Sequence, residues 1–143
     1  MRCKGFAPIL ITPISLTLPS DGTNRNPIFQ TQCIWDTGCS QTTITQEVVD
    51  ALGLIHTGFC HVHTTSERKK ETKTYVIDLY LSDSLVFPAV TVNLGMVVDS
   101  VGVLLGMDII GRGDFSLTGL EGNTCMSFRY PSFHEIDFGD NAT

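Results

Sequence analysis

The sequence predicts an all-β body, closed or sandwiched, and three observations predict it. Short runs alternate apolar with hydroxyl-bearing or polar side chains, turn formers separate them at close intervals, and only two brief stretches read as helix. The 143 residues suffice for one domain with a real core. We place that domain at residues 1–131 and read residues 132–143 as an acidic tail.

Taken in order, Ile14, Leu16 and Leu18 alternate with Ser15 and Thr17, the period of two expected of a half-buried strand within Ile9 to Leu18. Pro19 to Pro27 is dense in Asp, Gly, Asn and Pro and closes a hairpin whose return strand is Ile28 to Trp35. Gln41 to Ile44 reads as a short extended piece. Thr45 is then positioned to N-cap a helix over Gln46 to Leu52, stopped by Gly53, with Val48, Val49 and Leu52 on its apolar face.

Phe59 to His63 and Thr74 to Leu81 read as strands around a polar crest, Thr64 to Lys73, which projects from the body. After the turn at Asp83 and Ser84, Leu85 to Leu94 forms a strand that Pro88 places at an edge or bends. Val101 to Gly106 is an apolar strand, followed by a helical turn over Met107 to Gly111. Phe115 to Thr118 and Thr124 to Tyr130 form a last hairpin, ended by Pro131.

The formal net charge of −6 argues against nucleic acid as a partner, because the one basic run, Arg68-Lys69-Lys70, is flanked by Glu67 and Glu71. No apolar run approaches the roughly 20 residues a membrane span requires, so no membrane partner is expected. Five cysteines in no framework spacing read as free thiols, which predicts a reducing, cytoplasmic setting. The N-terminus imitates a signal peptide, but Pro8 and Pro13 interrupt it and no small-x-small cleavage site follows; it reads as strand. His61 and His63 would share one face of a strand with Cys60 on the other, too few ligands for a zinc site, so neither metal nor cofactor is expected. Asp99 and Asp108 suit turn and helix-cap roles, and Trp35 suits packing.

The chemistry concentrates in Ile34-Trp35-Asp36-Thr37-Gly38-Cys39-Ser40. An apolar strand delivers a carboxylate onto a tight turn, where its backbone is held and water is scarce. By itself Asp-Thr-Gly is a common turn sequence. Here it has a remote companion, Leu104-Leu105-Gly106, ahead of a short helix. Together these two features, from about Ile9 to Tyr130, resemble the retropepsin-like aspartic proteases, single-lobe relatives of the retroviral proteases.

That resemblance implies a single closed β-barrel of the retropepsin type with one or two short helices. It implies an aspartic endopeptidase acting on peptide or protein substrates, with Asp36 as the catalytic acid. Since the chain carries one Asp-Thr-Gly and leaves no room for a second lobe, the second acid would come from another copy in a C2 homodimer. Thr37, Gly38, Cys39 and Ser40 would support the active-site loop, and Leu104, Leu105 and Gly106 would pack beneath it. Thr64, Thr65, Ser66, Glu67, Arg68 and Lys69 would form the flap over the substrate. Cys39 stands where family members usually carry Ala or Ser, and the crest has no Gly at its tip. Those departures motivate the alternative, a catalytically silent retropepsin-like module for dimerisation or peptide binding.

Overall fold

A computed structural model describes residues 1–20, 26–62, 70–97, 100–137 and 139. Its strands are β1 (Arg2–Cys3), β2 (Ile11–Thr17), β3 (Ile28–Trp35), β4 (Thr43–Ile44), β5 (Gly58–Val62), β6 (Lys70–Ser82), β7 (Leu85–Leu94), β8 (Val103–Leu105), β9 (Asp114–Thr118) and β10 (Thr124–Arg129). Two short helices join them, α1 (Gln46–Leu52) and α2 (Met107–Ile110).

The larger sheet runs β2-β3-β8-β4-β7-β6-β5, and a further pairing of β2 with β6 closes six of its strands into a barrel. The closing register is Ser15 to Tyr80, Leu16 to Leu79 and Thr17 to Asp78. Closure removes the free edge of β2 and leaves β5, paired with β6, outside the ring. The alternation in β2 has the predicted sense: Ile14 and Leu16 are buried in the core with Cys33, Ile77, Leu79, Val92 and Val103. The smaller sheet, β1-β10-β9, packs on the barrel through Trp35, whose ring stacks on Phe115 at 5.8 Å and meets Phe128 at 5.0 Å. Trp35 is buried and its indole N–H donates to Thr12 Oγ1 at 2.9 Å, so it is a packing residue.

Several boundaries differ from the sequence reading, each for a hydrogen-bonding reason. The N-terminal strand starts at Ile11, and Arg2–Cys3 pairs instead with β10, opposite Cys125 and Thr124. The polar crest is shorter than Thr64 to Lys73, because Lys70 to Lys73 continue β6 against Val62 to Phe59 of β5. Charged side chains on an exposed hairpin hide a backbone ladder that they do not oppose.

Pro88 bends its strand: the β6–β7 register slips between Ile77 and Leu79, next to Ala89 at φ 51°. The carboxylate of Asp78, itself buried, secures that bulge by accepting from Ala89 N at 2.7 Å. In α1, Gly53 ends the helix in the left-handed conformation, as expected. Thr45 occupies the N-cap backbone position, yet its hydroxyl is buried and makes no capping bond among the described residues. The tail starts as a docked segment: Asp114 accepts from Ser132 Oγ, from Phe133 N at 3.0 Å and from the Arg129 guanidinium, and these donors hold its carboxyl well below the usual range.

Candidate active site

Asp36 follows β3 directly, and its position is set by parallel pairing with β8. Trp35 lies opposite Leu105, and Asp36 N donates to Leu105 O at 3.0 Å, so the ladder extends to the acid itself. The chain then turns. Gly38 N donates to Asp36 Oδ1 at 2.8 Å and Cys39 N to Asp36 O at 3.2 Å. A Cβ at Gly38 would lie 3.1 Å from Asp36 Oδ1, tighter than an ordinary contact, so glycine leaves the carboxylate uncrowded. Asp36 is half-buried while Thr37, Gly38 and Ser40 are exposed. The carboxylate makes no other hydrogen bond among the described residues, which leaves it acceptor capacity toward solvent or a ligand.

Beneath the turn, Gly106 is the close-approach point. A Cβ there would sit 2.7 Å from the carbonyl carbon and 2.9 Å from the nitrogen of Gln41. The loop therefore rests directly on the Gly106 backbone. Met107 N donates to Cys39 O at 2.8 Å and Asp108 N to Ser40 O at 3.2 Å, so the first turn of α2 satisfies the loop's carbonyls. Leu104 pairs with Ile34 on one side and Thr43 on the other, which places β8 between β3 and β4.

Two residues complete this support that the sequence reading did not assign to it. Thr42 is fully buried; its hydroxyl donates to Asp108 Oδ1 at 2.8 Å and accepts from Gly106 N at 3.1 Å. Thr42 N also donates to Asp108 Oδ1, at 2.9 Å. Asp108 is therefore structural but not the helix cap expected of it: Gly106 occupies the N-cap position without a side-chain capping bond, and the Asp108 carboxylate reaches back to lock the Asp36 loop through Thr42. A β-branched polar residue two positions beyond Ser40 was the available signal, and it reads identically to a strand threonine on a wet face.

Cys39 turns its thiol inward, donating to Gln41 O at 3.0 Å. Beside this loop lies a cleft of about 490 Å³, bounded by Gly38 to Gln41, Thr43, His61 and Val62 of β5, and Asn93 to Met96 at the end of β7. Its volume is large enough for a peptide side chain, and it opens next to the exposed turn. Thr64, Thr65, Ser66, Glu67, Arg68 and Lys69, expected as a flap, lie outside the described residues, as do His63 and Asp99. Cys60 is occupied by a hydrogen bond to Asn93 rather than free to ligate.

No protein-family model matches the chain, and neither does any curated protein. Among solved structures, it is similar to a retropepsin-like aspartic protease from Rickettsia conorii, at 14% identity over 85% of this chain and 94% of that one, with a TM-score of 0.47. No helix among the described residues is long and apolar enough to cross a membrane.

Proposed function

We propose that the chain is a retropepsin-like aspartic endopeptidase whose active site assembles from two copies, each contributing Asp36. The observation that carries this reading is the Asp36 turn itself. A half-buried carboxylate is held by Gly38 N, fixed to Leu105 and seated on Gly106, with a side-chain-sized cleft beside it. The neighbouring acid, Asp108, is committed to Thr42, so the second catalytic carboxyl comes from the Asp36 of another copy.

Two carboxyls about 3 Å apart cannot both ionise and share one proton. The ionised Asp36 takes a proton from a water held between them, and the water oxygen bonds to the scissile carbonyl carbon. The protonated Asp36 donates its proton to the carbonyl oxygen as charge builds there, giving a neutral gem-diol. Collapse re-forms the carbonyl and breaks the C–N bond, with the proton passing to the leaving nitrogen. No covalent enzyme intermediate forms. Thr37, exposed on the turn, contacts the loop of the second copy across the dimer axis, and Gly38 admits that close approach.

Purified protein is expected to cleave unfolded polypeptide, and Asp36→Asn to abolish cleavage while leaving sedimentation as a dimer intact. Cleavage retained in Asp36→Asn would exclude this mechanism. A dimer in which neither protein cleaves would identify the silent peptide-binding module instead.

A further inference from the structure

Asn93 lies at the end of β7, 3% exposed, and its side chain bridges β5 to Gln41 of the Asp36 loop. Asn93 Nδ2 donates to Gln41 Oε1 at 3.0 Å, and Asn93 Oδ1 accepts from Cys60 Sγ of β5 at 3.0 Å. Gln41 Nε2 then reaches Thr91 O at 3.5 Å. The direction of this chain is not arbitrary. A backbone carbonyl only accepts, so the end of the Gln41 amide near Thr91 is its NH₂ group and the end facing Asn93 is its oxygen. Asn93 must therefore present its NH₂ to Gln41 and its oxygen to Cys60, whose thiol supplies the starting proton. Burial pushes the Cys60 thiol above its ordinary pKa, which keeps that proton in place.

We propose that Asn93 is a positioning residue for peptide binding: through the run from Cys60 to Asn93 to Gln41 it holds the Gln41 amide with one N–H free at the wall of the cleft, where it receives an uncharged, hydrogen-bond-accepting side chain of the substrate. This deepens the protease reading and rests on it. Gln41 and Asn93 both line the cleft, and among the described residues no Asp, Glu, Lys or Arg does so, His61 being the one basic side chain at its wall, so a charged substrate side chain finds no permanent counter-charge among them. An amide or hydroxyl side chain finds a donor whose orientation is already fixed, which lowers the entropic cost of binding. If the run is broken, Gln41 turns freely and that advantage is lost. The Asp36 carboxylate takes no part in the run, so chemistry after binding is untouched.

The test is cleavage profiling of a peptide library by the purified full chain, its Asp36→Asn variant, and variants along the run. Wild type is expected to prefer Asn, Gln, Ser or Thr over charged residues at one subsite. Cys60→Val, Asn93→Asp and Gln41→Met should each raise KM for those peptides about three- to tenfold, the span of one hydrogen bond, with kcat unchanged and alanine-bearing peptides unaffected. Cys60→Ser keeps a donor and should behave as wild type. Gln41→Met leaves the buried Asn93 backbone pairing alone, so it answers the question even where Asn93→Asp is poorly folded. An active wild type whose profile and KM values are unmoved in Gln41→Met, or a Cys60→Ser variant indistinguishable from Cys60→Val, overturns this proposal alone. A wild type that cleaves nothing, like Asp36→Asn, overturns the protease reading and this proposal with it.

Discussion

Replacing Gly106 by alanine tests how the Asp36 loop is held. The added Cβ would lie 2.7 Å from the backbone of Gln41, and backbone cannot swing aside as a flexible side chain does. Restoring an ordinary contact of 3.4 Å displaces the loop by about 0.7 Å. Nothing near it yields cheaply: Cys39 and Ser40 carbonyls are bonded to Met107 and Asp108, and Thr42 is locked by Asp108 and by Gly106 N itself. Overpacking of this kind costs about 1–3 kcal/mol of stability. The effect on catalysis should be larger, because misplacing a reacting group by close to 1 Å costs on the order of 100-fold in rate. Denaturant unfolding and peptide cleavage measure the two effects on the same preparations. Gly119→Ala is the control, since its Cβ meets nothing within 4 Å and should change neither. A Gly106→Ala protein with wild-type midpoint and wild-type cleavage would refute the claim that the loop rests on this glycine.

Other predictions concern buried polar groups. Thr42→Val removes the hydroxyl between Asp108 and Gly106 N at constant shape and should lower the unfolding free energy by about 2 kcal/mol, the cost of stranding a buried donor; a change under about 0.5 kcal/mol would contradict that role. Cys33 is buried, and desolvation pushes its thiol up from 9.0 to about 11, so the unfolded chain loses this proton first as pH rises. The stabilisation is therefore complete below pH 9 and declines by about 2–3 kcal/mol toward pH 11, a slope that urea denaturation should find reduced in Cys33→Ala. Equal slopes would count against the assignment. Asp114, whose carboxyl is held low by Ser132, Phe133 N and Arg129, anchors the segment after β10. Asp114→Asn should speed proteolysis beyond Arg129 at neutral pH, and acidification below the usual carboxylate range should do the same to wild type; unchanged cutting would refute the anchor.

What the sequence revealed was whatever side-chain pattern reports. Alternation located β2, the turn formers from Pro19 to Pro27 located β3 as its return strand, the apolar face of Val48, Val49 and Leu52 located α1, and the Asp-Thr-Gly turn with the later Leu-Leu-Gly located the two strands that meet beneath Asp36. Backbone pairing without a side-chain period was hidden. Arg2–Cys3 is too short to show alternation, and Lys70 to Lys73 are charged yet fully in register with β5. The polar groups that organise the site were hidden for a different reason. Thr42 and Asp108, or Cys60, Asn93 and Gln41, become partners only after distant strands are brought side by side, and nothing local distinguishes them from solvent-facing residues.

The central claim, that one catalytic site needs Asp36 from two copies, is tested most directly by subunit mixing. Wild type and Asp36→Asn, mixed in equal amounts under conditions that allow exchange, form mixed dimers in which one carboxyl is missing. Random pairing leaves about one quarter of dimers with both acids, so activity per total protein should fall to about one quarter of the wild-type value. Activity that falls only to one half would show each chain acting with its own Asp36 alone and would contradict the two-copy site.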